Sequence, residues 1–255
     1  MNRIIRIILL DIIRNRIVLA YTLILGILSW SSFVLEDNSA KGLLTILNVI
    51  LFTVPLVSIL FSTIYIYNSS EFIELLLSQP LKRRRIWISL FLALSLSMMM
   101  AFIVGAGIPL LLFSPDSVGV MMLINGCLIT VIFTALAFLS SILTRDKAKG
   151  IGVAILIWLF FALLFDGLVL FLLFQLQDYP IEKAMVAITA FSPIDLARIQ
   201  ILLHLDVSAM MGYTGAIFKD FFGSSVGLVV SFVLLLLWAL VPFLISLRKF
   251  SKKDL

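Results

Sequence analysis

The chain is 255 residues long, 62% of them from the set AVILMFWYC and only 13% charged, against about 25% charged in an ordinary globular domain. A water-soluble fold of this size cannot hide so much apolar surface, because most of its exterior must stay wet, so a soluble enzyme is excluded. The formal charge is +5, from 19 Lys and Arg against 14 Asp and Glu. One cysteine, Cys127, excludes a disulfide framework and a cysteine-based zinc site within this sequence, and one histidine, His204, excludes a multi-histidine metal site.

The first sixteen residues read as an amphipathic helix. Arg3, Arg6, Asp11 and Arg14 fall within one arc, and Ile4, Ile5, Ile8, Leu9 and Ile12 lie opposite, which suits a helix lying in a membrane interface. Arg6 and Asp11 interrupt the apolar stretch, so it is not a cleavable signal. Runs long enough to cross a membrane follow at 17–35, 42–70, 86–116, 118–144, 150–177 and 221–247, almost free of charge apart from Asp166. The fold class is therefore an all-α membrane protein with six transmembrane helices in one domain, and both termini lie on the same side.

Basic residues decide which side. Arg3, Arg6, Arg14, Arg16, Lys82, Arg83, Arg84, Arg85, Arg145, Lys147, Lys149, Arg248, Lys249, Lys252 and Lys253 all fall on one face, leaving only Lys41, Lys183, Arg198 and Lys219 on the other. The positive-inside rule makes the crowded face, with both termini, cytoplasmic. The basic balance then records topology and contact with anionic lipid, not nucleic-acid binding.

Two segments outside the spans carry the functional expectations. Residues 69–85 form a cytoplasmic loop, with Ser70 as a helix cap, Glu71 and Glu74 in the first turn, and Phe72, Ile73, Leu75, Leu76 and Leu77 as its apolar content. Gln79 and Pro80 stop the helix before the basic run. Two readings stand open: a helix docking into a groove on a soluble partner, or one folded back onto its own bundle. Residues 178–220 form a long extracytoplasmic segment that should be folded or functional. Within it Ser192, Pro193 and Asp195 start a helix, as N-cap, first helical residue and first-turn acid. The LARIQILLHL that follows is amphipathic enough to rest on the outer membrane surface, and 181–191 could pair with it. A lid and a docking platform, with Pro193, Asp195 and Arg198 as contacts, suit it equally.

The spans themselves offer little chemistry. Asp166 lies near the middle of span five, where a charge costs roughly 2.5–3.5 kcal/mol, so it should face the bundle or a subunit interface, protonated or hydrogen-bonded to a neighbouring helix. No Arg, Lys or His partner for it stands within the spans. Met98, Met99, Met100, Met121, Met122, Met210 and Met211 suggest Cu(I). However, the first two clusters differ in depth by roughly 15 Å at 1.5 Å per residue, and methionine is a routine apolar filler. No GxxxxGK[ST] phosphate loop and no HExxH helix occur, so the chain is not itself an enzyme and no cofactor is expected on it. Pro55, Pro109 and Pro242 mark kinks within spans two, three and six.

Taken together, these parts resemble a permease subunit of the ABC-2 type. ELLLSQPLKRRRIW resembles that family's coupling region, with Phe72-Ile73 where Gly-Thr is usual; the coupling residues implied are Glu71, Phe72, Glu74, Leu75, Leu76, Gln79 and Pro80. Ala135–Leu173 and SPIDLARIQILL at 192–203 resemble the membrane subunits of nitrous oxide reductase maturation transporters. The resemblance implies a homodimer bound by two cytoplasmic ATPases, which carry the ATP and Mg, and a periplasmic copper-handling protein of the β-helix type on the far face. It implies transmission of force more than passage of a substrate. The alternative is an exporter of a lipid, drug or other amphiphile, with Tyr65, Tyr67 and Asp166 lining its cavity.

Overall fold

A computed structural model describes residues 2–36, 39–175, 187–205 and 225–252. The described residues form helices throughout: α1 (Asn2–Ile13), α2 (Arg16–Val34), α3 (Ser39–Asn68), α4 (Ser70–Leu77), α5 (Arg83–Phe113), α6 (Ser117–Leu143), α7 (Lys147–Leu159 continuing to Gln175), α8 (Pro193–His204) and α9 (Ser225–Lys252). Six of them, α2, α3, α5, α6, α7 and α9, are long and apolar enough to cross a membrane, as the composition required. The sixth runs on to Lys252, about a turn beyond the limit read from charge alone, because Arg248 and Lys249 continue the helix.

The uncharged helix α6 sits at the centre, packed against α3, α9, α5 and α8. Its approach to α5 depends on Gly126, where any Cβ would overlap the Phe102 ring. Two spans contain a π-turn, Ile103–Gly107 in α5 and Phe160–Leu164 in α7. Each admits one extra residue per turn and so rotates the following face. In α5 the turn brings Gly105 against the Thr22 carbonyl of α2, at a distance that leaves no room for a side chain.

Charges concentrate at one end of the bundle, here called the basic end. There Trp87 of α5 stacks on Phe250 at 4.1 Å, meets Phe138 edge-on, and donates its indole N–H to Ser246 Oγ at 3.1 Å. Phe91 stacks on Phe243 beside them. This aromatic layer ties α5, α6 and α9 together.

The N-terminal helix departs from a purely interfacial one. Ile8 and Ile12 are buried and Ile5 and Leu9 pack behind them, chiefly against α5, so the predicted apolar arc is spent on protein instead of lipid. Asp11 accepts a hydrogen bond from Tyr65 of α3 at 3.0 Å, while Ile7 and Leu10 stay exposed. Asn15 then caps α2, its Oδ1 accepting from Ile17 N–H.

Candidate functional site

At the basic end α4 divides its apolar side chains between two uses. Ile73 and Leu76 are buried against the bundle and Leu77 packs behind them, whereas Phe72 and Leu75 face outward, Leu75 at 65% exposure. Glu71, Glu74, Gln79 and Pro80 are exposed around them. One face of the helix is thus folded back onto its own bundle and the other is left exposed. The cap differs from expectation: Ser69 occupies the cap position, Ser70 is already helical, and no side-chain cap bond forms. The helix is closed at its other end by Ser78, whose N–H reaches the Glu74 carbonyl.

Behind α4 lies a cleft of about 360 Å³ lined by Tyr67, Ser70, Ile73, Glu74, Trp87 and Arg145 among others. Its back wall is a rigid joint. The Tyr67 hydroxyl, at the end of α3, lies 2.5 Å from Thr144 Oγ1 and donates to the Thr144 carbonyl at 3.1 Å. Gly150 of α7 lies so close to the Tyr67 ring that a Cβ there would overlap it. Lys147 Nζ donates to Asn68 Oδ1 at 2.7 Å. The end of α3 is therefore clamped to the junction of α6 and α7, and α4 hangs from that same end. Tyr67 stood in the sequence only as a cavity-lining candidate; its partners lie more than seventy residues away and no local pattern marks them.

The opposite end holds the second site, built around α8. The helix starts as predicted: Ser192 Oγ accepts from the Asp195 N–H at 3.2 Å and Pro193 occupies the first turn. Its placement does not follow prediction. Pro193, Ile194, Asp195, Leu196, Ala197, Ile199, Gln200 and Ile201 are buried among α6, α9, α3 and the π-turn of α7, so it does not rest on a membrane surface. The polar residues that made it look amphipathic point into protein.

Asp166 has a partner after all. Arg198 Nη1 donates to Asp166 Oδ2 at 2.7 Å and to Asp195 Oδ1 at 3.2 Å. A guanidinium from outside the spans reaches a carboxylate within one, which span-by-span inspection could not find. Asp195 Oδ2 and Arg198 Nε are buried without a hydrogen-bond partner. Burial first, and the adjacent Asp166 carboxyl next, push Asp195 far above the ordinary carboxylate range, to about 7. Pro193 and Asp195 are thus buried, while Arg198 pairs with both carboxylates and keeps 29% of its side chain exposed. The rest of the 178–220 segment, including Met210 and Met211, lies largely outside the described residues.

The polar and aromatic residues picked out for an export cavity each have a different hydrogen-bond partner within the chain. Tyr65 bonds Asp11, Tyr67 bonds Thr144, and Asp166 bonds Arg198. Of the methionines, Met98 and Met122 are buried in the core while Met100 is half exposed.

Comparison with known proteins agrees with this architecture. Residues 18–255 match the family described as ABC-2 family transporter protein. The chain is a member of the ABC-2 transporter family. As such it is a membrane transport subunit, and ATP hydrolysis belongs to a partner, since ABC-2 permeases work with cytoplasmic ABC ATPases. It is also similar to a protein of Pseudomonas aeruginosa named "Probable ABC transporter permease protein NosY", at 27% identity over 225 residues, covering 80% of this chain and 82% of the relative.

Proposed function

We propose that this ABC-2 permease transmits the movement of a partner ATPase from its basic, cytoplasmic end to the opposite face of a bacterial inner membrane, both termini being cytoplasmic. The observation that carries the reading is the division of α4. Phe72 and Leu75 present an exposed apolar face while Ile73 and Leu76 fix the helix to the bundle, so a partner that seats on the first must push on the second. The Tyr67–Thr144 clamp then passes that push from α3 to the start of α7, and α7 reaches α8 through the Asp166–Arg198 pair. An unbroken mechanical path joins the two ends.

The likeness to a NosY-named permease supports a related role, in which a homodimer drives a periplasmic copper-handling protein during nitrous oxide reductase maturation. The competing reading is export of an amphiphile. Purifying the tagged chain from its host in gentle detergent, with mass spectrometry of what remains bound, separates them. Recovery of an ATPase with a periplasmic β-helix protein supports the maturation role; an ATPase alone supports export. Recovery of neither would defeat the transmission reading.

A further inference from the structure

Two carboxylates and one guanidinium meet where α7 and α8 touch, and their charges do not balance. With both acids ionised the cluster would hold a net negative charge among apolar helices, and an uncompensated buried charge is far more costly than a buried polar group. Among the described residues no other charge is placed to correct it. Between Ser117 and Leu143 α6 carries no charged residue; Lys41 is exposed at the start of α3; the cations of α9 at Arg248, Lys249 and Lys252 lie at the basic end; His204, on α8 itself, bonds the Gln200 carbonyl. Among the described residues the deficit is left to the cluster itself.

We infer that this cluster is a proton-binding site: Asp195 carries one proton, and that proton latches α8 to α7. The two acids are not equivalent. Asp166 holds Arg198 at 2.7 Å and its side chain is 36% exposed. Asp195 lies farther from the guanidinium at 3.2 Å, its side chain is 12% exposed, and its Oδ2 is buried without a hydrogen-bond partner. A proton on that carboxyl neutralises the cluster and turns a bare acceptor into a donor able to face Asp166. The dipole at the start of α8 favours an anion at Asp195 by about 0.3–1 kcal/mol, less than the cost of an uncompensated buried charge, and Ser192 already occupies the Asp195 N–H. Beside the cluster, Arg198 and Ile194 form part of the wall of a cavity of about 400 Å³ with Asn48 and Thr53.

The sign follows from the raised affinity of Asp195 for its proton. Docking of α8 is favoured at low pH and weakens as pH rises from the ordinary carboxylate range through the raised value; above that value nothing more is lost. Each pH unit within that window changes the docking equilibrium by about tenfold.

Amide hydrogen exchange over residues 193–204 of the full-length chain in lipid nanodiscs, corrected for intrinsic rates, tests this from about pH 5 to about pH 8. Wild-type protection should fall by up to about a hundredfold between about pH 5 and about pH 7. Asp195→Asn and Asp166→Asn each leave a balanced cluster and should stay protected at every pH, while His204→Gln should keep the wild-type response. An infrared carbonyl band from a protonated carboxyl should be present in the wild type below the transition and missing from Asp195→Asn. Flat wild-type protection, or no carboxyl band assignable to Asp195, overturns the inference. The wild-type exchange readout does not depend on a variant folding.

Discussion

The two short helices that flank the spans, α4 at the basic end and α8 at the other, use polarity in opposite directions. In α4 apolar side chains, Phe72 and Leu75, face out, and acids surround them. In α8 an Arg and an Asp face in, and the Arg bonds both that Asp and Asp166 of α7. Similar mixtures of apolar and charged residues thus make a surface for another protein in one place and an internal joint in the other. The difference is coverage. Among the described residues, the eight of α4 pack chiefly on the ends of α3 and α5, so half the helix stays bare; α8 is enclosed by four elements, so its charges must find one another.

That contrast can be broken most forcefully at α8. The double variant Asp166→Asn with Asp195→Asn leaves Arg198 without a counter-ion, which costs about 3–5 kcal/mol for a buried charge and somewhat less here because the side chain is 29% exposed. The expected result is a large fall in thermal stability in detergent, where each single change has a small effect; equal losses in the single and double variants would show that the charges do not act as a unit.

The contrast sharpens at α4 through a pair of neighbours. Leu75→Glu should abolish co-purification of the ATPase while leaving the melting temperature unchanged, because Leu75 is exposed. Leu76→Glu should lower the melting temperature itself, by roughly 2–5 kcal/mol of stability, as for other losses of a buried Leu. If both variants bind ATPase normally, α4 is not the docking helix.

Between the two ends, Gly150→Ala should push Tyr67 off Thr144 at an overpacking cost of about 1–3 kcal/mol. Bound ATPase should then hydrolyse ATP without driving the far end, seen as hydrolysis that no longer alters exchange in α8. Gly152→Ala, with nothing within 4 Å of its added methyl, is the silent control. The smallest effect is expected from Asn15→Ala, which removes an exposed helix cap worth about 1 kcal/mol and should touch neither end; a larger loss would mean that α1 is more deeply tied to the bundle than Tyr65–Asp11 suggests.

Much of this architecture is legible in the linear chain. Six apolar runs bounded by charge can only be spans, because a backbone in hydrocarbon must satisfy its hydrogen bonds within a helix. The start of α8 was equally plain, since Ser192 and Pro193 act within one turn. The Asp166–Arg198 pair was not, because its members are 32 residues apart and one lies outside the spans. Nor were the π-turns, which leave no mark in hydropathy, or the second use of the α1 stripe, since lipid and protein satisfy an apolar arc equally well.

What the sequence by itself determined was therefore everything set by local chemistry and by the cost of burying charge: helix after helix, their number, and the asymmetry of Lys and Arg between the two ends. Only the tertiary structure decided which face of α4 is covered, where α8 lies, and which cation answers Asp166. Those outcomes depend on distances between segments remote in the chain, and an apolar or charged side chain carries no record of which neighbour will satisfy it.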